Sequence, residues 1–99
     1  MIRHIVSWKL AEGDEPTKDQ AFRDIWKALM PLATVVPGIS EFSVSRNVAY
    51  ADKNFDVVLV SEFASLEALE AYQVHPQHLA AAEVVKARVV ARASIDVEV

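Results

Sequence analysis

FDVVLVSEF, residues 55–63, decides how the rest of the chain folds. Phe55, Val57, Leu59 and Phe63 share one side of an extended segment, because successive side chains of a strand point to opposite faces. Val58 and Val60 make the other side apolar too, so the segment reads as a strand buried on both faces. Such a strand needs one layer above it and another below. Ser65 follows, with a hydroxyl suited to capping a helix, and Leu66 to about Gln73 then reads as helical. Pro76 interrupts this helix, because the residue before a proline avoids helical backbone angles. A second helical piece, Pro76 to about Val85, restarts with proline in the first turn, where its missing amide hydrogen does no harm.

Working outward, Ile2 to Leu10 alternates strictly. Ile2, His4, Val6, Trp8 and Leu10 fall on one face; Arg3, Ile5, Ser7 and Lys9 fall on the other. Glu12 to Pro16 breaks the pattern as a turn. Thr17 with Gln20 three residues later predicts a capping box at a helix start. Ala21, Ile25, Ala28, Leu29 and Leu32 recur at helical spacing, and Phe22 and Trp26 widen that stripe. Pro31 loosens the last turns, and Val36-Pro37-Gly38 ends the helix. Ile39 to Val48 reads as a second strand, with Phe42 and Val44 opposite Glu41, Ser43 and Ser45. Ala51 to Asn54 predicts a hairpin connection to the strand beginning at Phe55. Arg92 to Val99 alternates again, Ala93, Ile95, Val97 and Val99 against Arg92, Ser94, Asp96 and Glu98.

The expected fold is α+β: a ferredoxin-like β-α-β-β-α-β protomer, one domain over residues 1–99. Right-handed crossovers place its helices on one face of the sheet. The sides carrying Trp8, Phe42, Leu59 and Ile95 are expected under those helices. Ile5, Val58 and Val60 lie on the opposite side, and no further helix exists to cover them. Packing that face against a second copy predicts a homodimer forming a dimeric α/β barrel. A monomer with a half-solvated sheet is the bland alternative, since antiparallel sheets tolerate water on one side.

Composition removes several classes of function. The chain has no cysteine, which excludes disulfides and thiolate catalysis. Its net charge is −4 and its ten Lys and Arg are scattered, apart from Lys86, Arg88 and Arg92 near the end, which argues against a nucleic-acid partner. No stretch approaches the roughly 18 apolar residues of a membrane span, so no membrane partner is expected. The opening MIRHIVSWKL lacks the apolar core of a signal peptide, so the default location is cytoplasmic. Two glycines, Gly13 and Gly38, are too few for a phosphate loop, and no flavin or nicotinamide fingerprint is present. No cofactor is expected.

MIRHIVSWKL, the VPGI after the first helix, and FDVVLVSEFASLEALEAYQVHPQHLAAAE together resemble the stress-responsive dimeric α/β-barrel domain family. The resemblance covers essentially the whole chain. It is sharpest from Phe63-Ala64-Ser65 through Tyr72 to His75-Pro76-Gln77-His78. It implies protomers whose sheets pair across a two-fold axis. The family includes stress-induced proteins without an assigned reaction, self-assembling stability proteins and a polyketide cyclase, so fold alone does not give chemistry.

Three histidines carry the only type of side chain here whose unperturbed pKa lies near neutrality. His4 shares a strand face with Trp8, where an imidazole serves either the core or a pocket. Tyr72, His75 and His78 cluster at the helix break; His75 can act as a helix cap, and each residue alone has a structural explanation. His75-x-x-His78 can place two zinc ligands on one helical face. Pro76 distorts that turn and no third ligand is near, so no metal is expected.

The resemblance implies His78 as a general base removing a proton alpha to a carbonyl, with Tyr72 holding the carbonyl oxygen. It implies a pocket position for His4. Trp8, Phe22, Trp26 and Leu59, with Phe42, Phe63 and Leu69, either fill the space between sheet and helices or line a cavity for an apolar ligand. The expected function is therefore a stress-response-type domain binding a small hydrophobic or phenolic molecule through His4, Trp8, Trp26, Phe22, Leu59 and His75. A cofactor-independent cyclase or lyase using His78 and Tyr72, and a non-catalytic self-assembling protective protein, are the rivals.

Overall fold

The computed structural model describes residues 1–99. Its elements run β1 (Ile2–Leu10), α1 (Glu15–Leu29), α2 (Leu32–Val35), β2 (Ile39–Arg46), β3 (Val57–Phe63), α3 (Leu66–Gln73), α4 (Pro76–Lys86) and β4 (Val89–Glu98). The four strands form one antiparallel sheet in the order β2-β3-β1-β4. This is the ferredoxin-like arrangement read from the sequence.

β3 lies inside the sheet, between β2 and β1. Its burial alternates between fully and partly buried, with Val57, Leu59, Ser61 and Phe63 facing the helices. The register carries the same parity across all four strands. On the helix side, Val44, Leu59, Val6 and Ser94 form one row, and Phe42, Ser61, His4 and Asp96 form the next. On the opposite side, Ser43, Val60, Ile5 and Ile95 form a row.

That register corrects the expected place of Ile95. It does not lie under the helices: it pairs with Ile5 and is 58% exposed. Alternation gives the two sets of β4 side chains but not which set points inward. The pairing with β1 sends Ala93, Ile95 and Val97 outward and Arg92, Ser94 and Asp96 inward. The uncovered face is thereby more apolar than Ile5, Val58 and Val60 alone made it.

Other boundaries also differ, among them the end of β2, which stops at Arg46 rather than Val48. α1 starts at Glu15 with Asp14, not Thr17, as its cap; the Thr17 amide donates to the Asp14 carboxylate at 3.0 Å. Hydrogen bonding by Thr17, from its side chain first and its amide second, favours the ionised form and holds the Asp14 carboxyl below its ordinary pKa. β3 starts at Val57 because Asp56 turns its buried carboxylate to the Leu10 amide at 2.8 Å. Phe55 is left in the connection, partly exposed. That connection spans residues 47–56 and is pinned by Asn54, which donates to Asn47 and to the Ala49 carbonyl. β4 begins at Val89, three residues before the alternation becomes readable.

α1 turns Ile25 and Leu29 into the core, and α3 and α4 supply Leu69, Tyr72, Ala81 and Val85. Gly38 adopts φ +87°, and a Cβ there would come within 2.9 Å of the Ala68 Cβ. Glycine is therefore what lets the chain turn tightly into β2 beneath α3.

Candidate functional site

α3 ends where Val74 leaves helical geometry, and α4 restarts at Pro76. His75 caps the new helix: its Nδ1 accepts from the Gln77 amide at 3.1 Å. The break puts Tyr72 near the end of one helix and His78 in the first turn of the next. Their rings lie 4.3 Å apart, centroid to centroid. Both line a cavity of about 370 Å³ between the sheet and the helices.

The sheet contributes His4, Val6, Trp8 and Leu59 to this cavity; α1 contributes Leu29, and α4 contributes Ala82 and Val85. The wall is mostly apolar with a few convergent polar groups, the usual composition of a small-molecule site. Three of these groups can handle protons.

Tyr72 is fully buried, and its hydroxyl has no hydrogen-bond partner in the protein. Its ring meets His4 and Phe42 edge-on and Phe63 at a tilt, with the Phe63 centroid at 5.0 Å. Burial pushes the phenol pKa well above its ordinary value of 10.0, so the group remains a donor throughout the physiological range.

His78 donates from Nδ1 to the Gln73 carbonyl at 3.1 Å, which fixes the tautomer and leaves Nε2 with a free lone pair. Partial burial lowers its pKa below 6.5, against a smaller opposing effect of the Gln73 carbonyl. A neutral imidazole with a bare Nε2 is a competent base near pH 7.

His4 is buried on β1, and its Nδ1 pairs with a carboxylate oxygen of Asp96 directly across on β4. Its backbone carbonyl accepts from the Ser61 hydroxyl at 3.2 Å. A carboxylate on Nδ1 orients the ring and offers Nε2 to the cavity side.

Of the residues singled out in the sequence, His4, Trp8, Leu59, Tyr72 and His78 line this one cavity. Phe22, Trp26 and His75 do not. Phe22 packs against the core from α1, Trp26 is 45% exposed, and His75 is committed to its capping bond. No three His, Asp or Glu side chains converge as a metal ligand set.

Asp96, Lys86 and Arg92 escaped the sequence reading. Asp96 was hidden by the inverted phase of β4. Once the register aligns Ile5 with Ile95, Asp96 must face the same way as His4. Lys86 and Arg92 line the cavity beside Gln73; in the sequence they stand out, with Arg88, only as a small basic group near the end.

The family model for the stress responsive A/B barrel domain matches residues 2–99. The chain belongs to the stress responsive A/B barrel family. Its fold is shared by a dimeric, ferredoxin-like protein of unknown function from Bacteroides fragilis. That match has 26% identity and a TM-score of 0.89, and it covers 99% of this chain and 95% of that one. A ferredoxin-like member of the same family from Mesorhizobium loti superposes with a TM-score of 0.75 at 22% identity, covering 98% and 94%. A hydroxynitrile lyase from Passiflora edulis superposes with a TM-score of 0.76 at 18% identity, covering 97% and 90%. The latter two likenesses concern fold alone. No curated protein matches the chain.

Proposed function

We propose that this A/B barrel protein is a homodimer whose cavity takes a small, largely apolar carbonyl or phenolic compound and moves a proton on it without a cofactor. One observation carries the reading: a buried, unpartnered Tyr72 hydroxyl beside a neutral His78, in an apolar cavity of about 370 Å³. A desolvated hydroxyl without a partner costs about 1–3 kcal/mol, which a ligand acceptor recovers on binding.

In that reading Nε2 of His78 takes a proton from the carbon beside the carbonyl. The C–H electron pair moves into an enolate, and the Tyr72 hydroxyl donates to its oxygen as charge develops. The enolate carbon then either attacks a second carbonyl of the same molecule or expels a leaving group. Those outcomes are a cyclase and a lyase. The proton held on His78 Nε2 then passes to the new alkoxide or to the leaving group, which restores the neutral imidazole; His4, oriented by Asp96, lines the cavity beside Tyr72.

The dimer reading is supported by the row Val60, Ile5 and Ile95, with Val58 in the next row, on the face the helices leave bare. The Bacteroides fragilis protein of the same fold is described as dimeric. The rival reading, a protective self-assembling protein, requires a filled interior and no ligand.

The test uses 2-acetylnaphthalene, a flat apolar body with an ionisable C–H beside a carbonyl. In heavy water, exchange of its acetyl protons is followed by NMR. The protein should accelerate exchange over buffer, and His78→Gln should reduce that acceleration by about 10²–10⁴-fold, the usual share of a general base. A ketone that binds yet exchanges no faster than in buffer removes the proton-transfer reading. A ketone that does not bind removes the neutral carbonyl compound as ligand and weighs toward the self-assembly rival.

A further inference from the structure

The cavity's charge contradicts the chain's. The protein carries 14 acidic residues against 10 basic ones. Yet the cavity lining includes Lys86 and Arg92 and no carboxylate. The nearest acid in register, Asp96, is engaged by His4.

Arg92 is singular among the five arginines. Arg3 pairs with Glu62, Arg23 with Asp19, Arg46 with Glu15 and Arg88 with Asp24. Arg92 has no acidic partner; one guanidinium nitrogen donates to the Ser94 hydroxyl at 3.3 Å. It stands opposite Trp8 in the β1–β4 register, at the exposed side of the cavity. Lys86 approaches from the end of α4, where its link to Glu83 is long, 3.6 Å, and open to water. Two cations, one wholly unpaired, thus frame an apolar cavity whose inner wall carries Tyr72 and His78.

We propose that the natural ligand is an anion: an apolar body bearing a carboxylate or phosphate group, whose oxygens are held by Arg92 and Lys86 while the body enters toward Tyr72. This rests on the ligand-site reading above and narrows its substrate class. The guanidinium fork matches the paired oxygens of either group, and Lys86 adds a point charge. A neutral ketone of the same shape fills the apolar wall and leaves both cations to water.

Calorimetric titration compares 2-naphthoate, 2-naphthyl phosphate and neutral 2-naphthamide, which share one body. At least one anion should bind tenfold or more tightly than the amide, and whichever leads identifies the oxyanion. Arg92→Gln should erase at least tenfold of that preference and leave the amide unchanged; Lys86→Gln should erase a smaller part. Added salt should weaken the anions alone.

Anion and amide binding equally well would overturn the proposal. So would an Arg92→Gln variant that weakens both, since the arginine would then support the wall rather than the ligand. Binding of 2-acetylnaphthalene in either case keeps the ligand site and removes only its anion preference. Failure of all four compounds removes both readings. Arg92 is exposed, so its replacement leaves the core intact, as far-ultraviolet circular dichroism will verify.

Discussion

Replacing Tyr72 by phenylalanine should make the empty protein more stable while impairing its chemistry. The tyrosine ring is fully buried and packed against Phe63 at 5.0 Å and His78 at 4.3 Å, contacts that phenylalanine keeps. What it loses is a hydroxyl with no partner in the protein. Leaving such a group desolvated costs about 1–3 kcal/mol; filling a vacated oxygen site incompletely returns part of that, so a gain of about 1 kcal/mol is expected. In a domain of this size that corresponds to a rise of about 4–8 °C in midpoint. Urea and thermal unfolding of both proteins at one matched concentration measures it, because a dimer's midpoint depends on concentration. The order should reverse with ligand: the wild type should gain more from saturating 2-acetylnaphthalene than the variant does. A variant destabilised by more than about 1 kcal/mol would mean that the hydroxyl already has a strong partner in the free protein, and the ligand argument built on it would fail.

Three further outcomes follow from the same geometry. Ile95→Asp puts a carboxylate on the bare sheet face beside Ile5, and a charge buried unpaired on dimerisation costs upward of ~3 kcal/mol, so sedimentation should show dimer dissociation raised at least about a hundredfold. An unchanged dimer would place the interface elsewhere. Gly38→Ala forces a side chain onto φ +87° and into the Ala68 Cβ, so urea unfolding should show a loss of at least ~1 kcal/mol; equal stability would contradict the close approach of β2 and α3. His78 has a folded pKa below 6.5, so between the two values the unfolded chain binds more protons than the folded one. Stability must then fall as pH drops through 6.5, and His78→Gln should flatten that decline; identical pH profiles would count against the desolvated imidazole.

Most of the framework was legible because its signals are local. The two-sided apolarity of Val57 to Val60, the strict alternation of Ile2 to Leu10 and the proline restart at Pro76 each depend on neighbours in sequence. The placement of β4 was not legible, because alternation says which side chains travel together but not which layer they meet. Only pairing with β1 fixes that, and the error carried Asp96 away from His4 and Arg92 away from the cavity. Trp26 failed for a related reason. A wide apolar stripe does not reveal where the helix touches the sheet, and contact falls on Ile25 and Leu29, with Trp26 left partly in water. Phe55 looked like part of β3, but the Asp56 carboxylate bends the chain to reach the Leu10 amide, a long-range bond no periodicity announces.

The strand β1 turns His4, Val6 and Trp8 toward the cavity and Ile5 and Ser7 toward the bare face. Even and odd positions of one short segment therefore answer to different demands. Substitutions at residues 4, 6 and 8 can reshape what the molecule accepts, and those at 5 and 7 can retune self-association, with little cross-talk through a rigid pleat. A lineage can exchange one ligand for another while its quaternary arrangement stays put, which is a physical route by which a single small architecture comes to host unrelated activities.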